Sequence, residues 1–298
     1  MEWGREVRGR RPLPVAYAPR LSPDGSRVAF VRHENNNDDV WVKALPNGPV
    51  SRVTFSPELD LLPQWTPDGQ NLTYRNGPLG EGFLWSMRAD GTGEPELVFE
   101  GFVASKGVWS PDGVWLVIRR AGIIGEESAR DILAFRPGVD SEPVPLMATP
   151  GFWEQAPAIS RDGRWLAYSS NETGRHEVFV RPFPDVNDGK WQVSTDGGIN
   201  PIWAHNGREL FFLDPRTRQL TAAEFTTTAT SFQVAGLTPL FEVPGAFFWN
   251  TNGNNDPYDV DLDDQRFLMA RTYGSEDEEP TLVLVQSFFE ELERLVPN

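Results

Sequence analysis

Apolar residues in this chain fall in short alternating runs separated by turn-forming residues. Arg27-Val28-Ala29-Phe30-Val31, Val114-Trp115-Leu116-Val117-Ile118, Arg164-Trp165-Leu166-Ala167-Tyr168 and Glu209-Leu210-Phe211-Phe212-Leu213 have the length and the β-branched, aromatic character of strands. Each run follows a four-residue phrase. The phrase reads Ser22-Pro23-Asp24-Gly25, Thr66-Pro67-Asp68-Gly69, Ser110-Pro111-Asp112-Gly113 and Ser160-Arg161-Asp162-Gly163, then decays to Ala204-His205-Asn206-Gly207 and Asp261-Leu262-Asp263-Asp264. A hydroxyl residue, a proline of fixed φ, an aspartate that caps nearby N–H groups and a glycine suit a type I turn. Apolar pairs such as Gln64-Trp65, Val108-Trp109 and Ile202-Trp203 precede the phrase, so each copy predicts a hairpin.

The third positions of the six phrases (Asp24, Asp68, Asp112, Asp162, Asn206, Asp263) are 44, 44, 50, 44 and 57 residues apart. A third alternation follows in each unit, at 40–42, 83–87, 132–135, 177–180, 220–225 and 281–285. Five units carry a weaker fourth, at 51–54, 96–99, 144–147, 191–194 and 240–243. Four strands per unit at this period predict an all-β chain, a six-bladed β-propeller of four-stranded blades forming a single domain over 1–298. The sixth unit lacks a fourth strand, and the stretch around Leu13–Tyr17 is expected to supply it. Residues 1–12 read as a flexible basic segment. Phe288, Phe289, Leu292, Leu295 and Val296 have helical spacing, which predicts a short C-terminal helix over 286–298.

Composition narrows the chemistry. Cysteine is absent and there are three histidines, so thiolate catalysis, disulfides and cysteine-bound zinc are excluded and histidine sites are scarce. The net charge of −16 repels phosphate backbones and anionic lipid, which argues against nucleic acid. Apolar runs are strand-sized, too short for a membrane helix, and the first residues are not a secretory signal. As written, the chain is expected to stay in the cytoplasm.

The repeated phrase and the strand after it resemble the WD-like, TolB-type propeller repeat across nearly the whole chain. More narrowly, residues 168–184, 191–213 and 258–269 resemble the propellers at the C-terminal end of bacterial serine/threonine protein kinases, and residues 282–297 fit that family's ending. The resemblance implies an interaction or sensor module beyond a membrane span, periplasmic or extracellular if cut from such a kinase. It carries over no catalytic residues. The chain holds no Gly-rich phosphate loop, H-R-D or D-F-G motif. Arg161 in place of proline and Asp264 in place of glycine predict looser turns.

The repeated aspartates read as turn caps rather than a metal ring. His33, His176 and His205 read as solvated loop residues, too dispersed for a metal site. No serine elbow is present, and the acidic runs read as solvated faces. No catalytic residue, metal or cofactor is therefore expected. Trp41, Trp65, Trp109 and Trp203 read as blade packing.

Loops entering each first strand converge on one mouth of a propeller's channel. Two of them are rich in adjacent aromatics, which makes Phe152, Trp153, Glu154, Gln155, Phe247, Phe248, Trp249 and Asn250 the candidate binding residues. Glu58, Asp60, Phe102, Lys106 and Asn200 are expected on the same rim. The alternative is that the aromatics fold inward and plug the channel. The expected function is a non-enzymatic, monomeric module binding a protein, peptide or small ligand at that rim. Two alternatives stand beside it: a lyase, lactonase or cyclase-type propeller enzyme, and a propeller that gates a peptidase. The first strands, read as offering Gln and Asn but few ligands, disfavour the enzyme.

Overall fold

The computed structural model describes residues 16–78, 81–101, 104–120, 130–243, 257–271 and 281–285. Among them lie six antiparallel sheets, five of four strands and one of three. The first strands are Ala16–Leu21 (β1), Asp60–Trp65 (β5), Ala104–Trp109 (β9), Glu154–Ile159 (β13), Ile199–Trp203 (β17) and Tyr258–Val260 (β21). From each, the chain steps outward strand by strand through hairpins. No α-helix occurs among the described residues, and no helix there is long and apolar enough to cross a membrane. The helix expected over 286–298 lies outside the described residues, as does the segment 1–12.

The turn phrase closes the first hairpin as its chemistry demands. In the third sheet Ser110 Oγ donates to Asp112 (2.5 Å) and accepts from Trp115 N (2.8 Å), while Asp112 accepts from Val114 N (3.0 Å). The same three bonds recur around Asp24, Asp68 and Asp162. These bonds hold the Asp24 carboxyl down to about 2, Ser22 contributing most. The fourth residue sits at positive φ in every copy.

Both faces of each sheet are covered, which is why the second strands read as nearly continuous apolar runs. In Trp165–Ser170 (β14), Leu166 and Tyr168 pack toward the third sheet, and Trp165 and Ala167 toward the fifth. Separate cores join each sheet to the next. A further one joins sheet six to sheet one through Leu268 and Ala270 against Val28 and Phe30. Tryptophan indoles bridge the seams. Trp65 Nε1 donates to Arg20 O (2.9 Å) and Trp203 Nε1 to Ala158 O (3.0 Å), each 45 residues back along the chain.

Three expectations need correction. Of the stretch expected to supply an outer strand to the last sheet, Ala16 and Tyr17 instead belong to β1, paired with Arg27–Glu34 (β2), while residues 13–15 lie outside the described residues. Pro19 hid this strand, because the alternation breaks at a bulge between Tyr17 and Arg20. The turns holding Arg161 and Asp264 are not loosened. Gly163 N donates to Ser160 O at 2.9 Å and Asp264 N to Asp261 O at 2.9 Å, and Asp264 takes the glycine's conformation at φ 60°. Lys106 and Asn200 stand inside β9 and β17, not on a rim loop.

Candidate functional site

A cavity of about 290 Å³ opens where the six first strands end. Its wall follows the repeat. The residue just before each phrase lines it (Leu21, Trp65, Trp109, Ile159, Trp203, Val260), as does the residue before that (Arg20, Gln64, Val108, Ala158, Ile202, Asp259). The second residue of the phrase completes the mouth: Pro23, Pro67 and Pro111 from three sheets, Arg161 and His205 from the next two.

The first strands are bent to make this wall. Four residues ahead of the phrase stand Ala18, Leu62, Ala156 and Asn200, with φ of 52°, 59°, 52° and 51°, each followed by proline. Pairing with the second strand slips there. A non-glycine residue in the left-handed region costs on the order of 1 kcal/mol, and here it re-aims the strand end at the cavity. In the third sheet the same place is taken by Lys106, buried and followed by Gly107.

Charge on the wall is unusual for so acidic a chain. Arg20, Lys106 and Arg161 face one carboxylate, Asp259. Arg20 Nη1 donates to Tyr258 O (3.0 Å), and both Asp259 oxygens accept backbone N–H groups, from Leu21 (2.7 Å) and Val260 (2.9 Å). Burial pushes the Lys106 ammonium well below its ordinary range, and Arg20 adds to this while Asp259 opposes it. At the mouth Arg161 Nη2 lies 2.6 Å from His205 Nε2, and His205 Nδ1 lies 3.2 Å from Asp264 Oδ1. A guanidinium can only donate, so Nε2 accepts and the proton sits on Nδ1. Burial and then Arg161 lower the imidazole's pKa, keeping it neutral. Asp264 is itself fixed by His205 N (2.7 Å) and Asn206 N (2.8 Å).

Four of the sequence-predicted residues, Phe152 to Gln155, lie at the other end of β13. Trp153 is 44% exposed, with the Arg130 guanidinium 4.1 Å from its ring centroid and His176 at 6.3 Å. Gln155 Oε1 accepts from Arg130 (3.3 Å), and Trp153 N donates to Asn171 Oδ1 (2.7 Å). Phe152 is half-buried, while Glu154 and Gln155 are buried. Phe247, Phe248, Trp249, Asn250 and Phe102 lie outside the described residues. Asp60 and Glu154 begin β5 and β13 at equivalent places. Burial raises Asp60 to about 6 and Glu154 to about 7, and one oxygen of each has no hydrogen-bond partner.

Sequence reasoning missed Arg20, Asp259 and the Arg161–His205–Asp264 chain. His205 and His176 are half-buried rather than solvated, and only His33, paired with Asp38 at 2.9 Å, is exposed. No group of three metal-ligating side chains occurs among the described residues. The signal available was the departure of Arg161, His205 and Asp264 from a phrase that elsewhere serves only the turn.

Comparison with known proteins agrees with the architecture. Residues 13–134 match the TolB β-propeller domain family. The fold is that of a TolB-like β-propeller. TolB from Acinetobacter baumannii superposes with a TM-score of 0.56 at 14% identity, covering 92% of this chain and 64% of that one. A TolB candidate from Agrobacterium tumefaciens gives 0.62 at 16%, covering 92% and 90%. An oligogalacturonate lyase from Vibrio parahaemolyticus gives 0.57 at 12%, covering 94% and 92%. By sequence, an uncharacterized peptidase of Bacillus subtilis is 25% identical over 54% of this chain and 31% of its own length. The chain thus spans under a third of that relative, and the names attached to this fold include both enzymes and TolB.

Proposed function

We propose that the six sheets close as a six-bladed propeller, and that the chain is a binding module taking a protein segment, peptide or small ligand into the cavity on the shared axis. One observation carries this reading: the repeat departs from its own consensus at the cavity wall, with Arg161 and His205 where proline serves the turn. A turn gains nothing from a charged side chain there, whereas a recognition site does. Trp153, stacked with Arg130, offers a second contact at the other end of β13, and Phe247, Phe248, Trp249 and Asn250 are further candidates from the sequence pattern alone. The likeness of residues 168–184 and 191–213 to kinase-borne propellers supports a place in a larger signalling polypeptide.

A thermal-shift screen of peptides and metabolites tests this, with wild type beside Arg161→Pro and Trp153→Ala. Ligands whose stabilisation disappears in Arg161→Pro support the cavity. A hit profile unchanged in both variants overturns the reading.

An enzyme reading rests on Asp60 and Glu154, whose carboxyls burial raises to about 6 and about 7, toward the range in which general acids and bases work. It predicts turnover with a bell-shaped pH profile that Glu154→Gln abolishes.

A further inference from the structure

We infer that the axial cavity is built for a ligand with one carboxylate and an apolar body, and that Arg161 receives the carboxylate at the mouth. The inference rests on the cavity reading above and gives it a ligand class.

Charge sets the head group. Among the described residues the wall carries Arg20, Lys106 and Arg161 against Asp259, with Asp264 behind His205, a formal surplus of one cation. Both carboxylates accept backbone N–H groups, which hold them in place. A monoanion balances this wall, whereas a dianion meets Asp259 and Asp264 uncompensated. His205 accepts from Arg161 and is anchored by Asp264, so the guanidinium is held in one orientation, which favours planar recognition of a carboxylate.

Packing sets the body. Between Lys106 and the mouth the wall is Trp65, Trp109, Trp203, Val108 and Ile202, aromatic and aliphatic on several sides. The volume is at the small end for ligand sites and suits one ring or one or two residues of a chain end.

The probes are hydrocinnamate, acetyl-leucyl-phenylalanine, the primary amides of both, and inorganic phosphate, titrated against intrinsic tryptophan fluorescence and by calorimetry. One or both acids should bind at least about tenfold more tightly than the matching amide, with phosphate weaker than either acid. The free acid and the peptide distinguish a small metabolite from a chain terminus. Arg161→Pro restores the residue that three sister turns carry, so the fold is expected to persist, and it should remove the preference for acid over amide. Circular dichroism and the melting temperature check the fold.

Acid and amide binding alike overturns the inference while leaving the cavity reading intact. Failure of both acids, or an undiminished preference in Arg161→Pro, also overturns it. The cavity reading itself falls only if the wider screen is also insensitive to Arg161→Pro.

Discussion

Arg161 and His205 occupy the same place in successive repeats, and their side chains meet across the seam between sheets four and five at 2.6 Å. In the first three sheets that place is proline, whose ring shapes the turn and adds an apolar edge to the mouth. Here the pair is extended to Asp264, in the sixth repeat, so three consecutive copies of one turn form a hydrogen-bonded chain around the mouth.

Asp264 holds a left-handed conformation and binds two N–H groups of the neighbouring turn. Asp264→Gly relieves strain of about 1 kcal/mol but removes charge-assisted bonds worth about 1.5–3 kcal/mol each. The variant should lose about 2–5 kcal/mol in urea unfolding. Its His205 should titrate lower still by NMR, because Asp264 is what raises it.

Glu154 makes stability depend on pH. Its folded pKa, about 7, lies above the ordinary glutamate value, so the native state binds the extra proton. Stability from this group is complete below about pH 4.5 and is lost as pH rises through 7, by up to about 3 kcal/mol. Glu154→Gln should therefore be more stable than wild type at pH 8 and show no such gain at pH 4, in denaturant titrations at both pH values.

Ser110 is buried and makes two of the bonds that define its turn. Ser110→Ala leaves Trp115 N without its partner and frees Asp112, and should cost about 1–2 kcal/mol. Asp112→Ala, at an exposed site, should cost less than Ser110→Ala. The reverse order would mean that the aspartate, not the hydroxyl, organises the phrase.

Trp203→Phe removes the indole bond to Ala158 O and the larger ring packed on Phe225 and Phe232. A loss of about 1–3 kcal/mol is expected by chemical denaturation. Trp153→Phe, at an exposed site, should stay within about 0.5 kcal/mol of wild type.

The turn phrase made the repeat legible because its chemistry is local: Ser22, Asp24 and Gly25 satisfy one another within a few residues. The strand pattern was legible because each second strand alternates between two covered faces, as Leu166 and Trp165 do. The cavity wall was not. Its shape depends on bulges at Ala18, Leu62, Ala156 and Asn200, which break the two-residue period that locates side chains. Its charge depends on Arg20 meeting Tyr258 and Leu21 meeting Asp259, each pair 238 residues apart. Of the predicted rim residues, Trp153 is partly exposed, while Glu154 and Gln155 are buried because strand β13 already begins at Glu154.

The core between sheets six and one sets an order of events during synthesis. Val28 and Phe30 leave the ribosome some 240 residues ahead of Leu268 and Ala270, which cover them. At roughly 5–20 residues per second, that apolar face stays bare for at least about ten seconds while the intervening sheets assemble. The nascent chain should therefore engage holdase chaperones through its first hairpin.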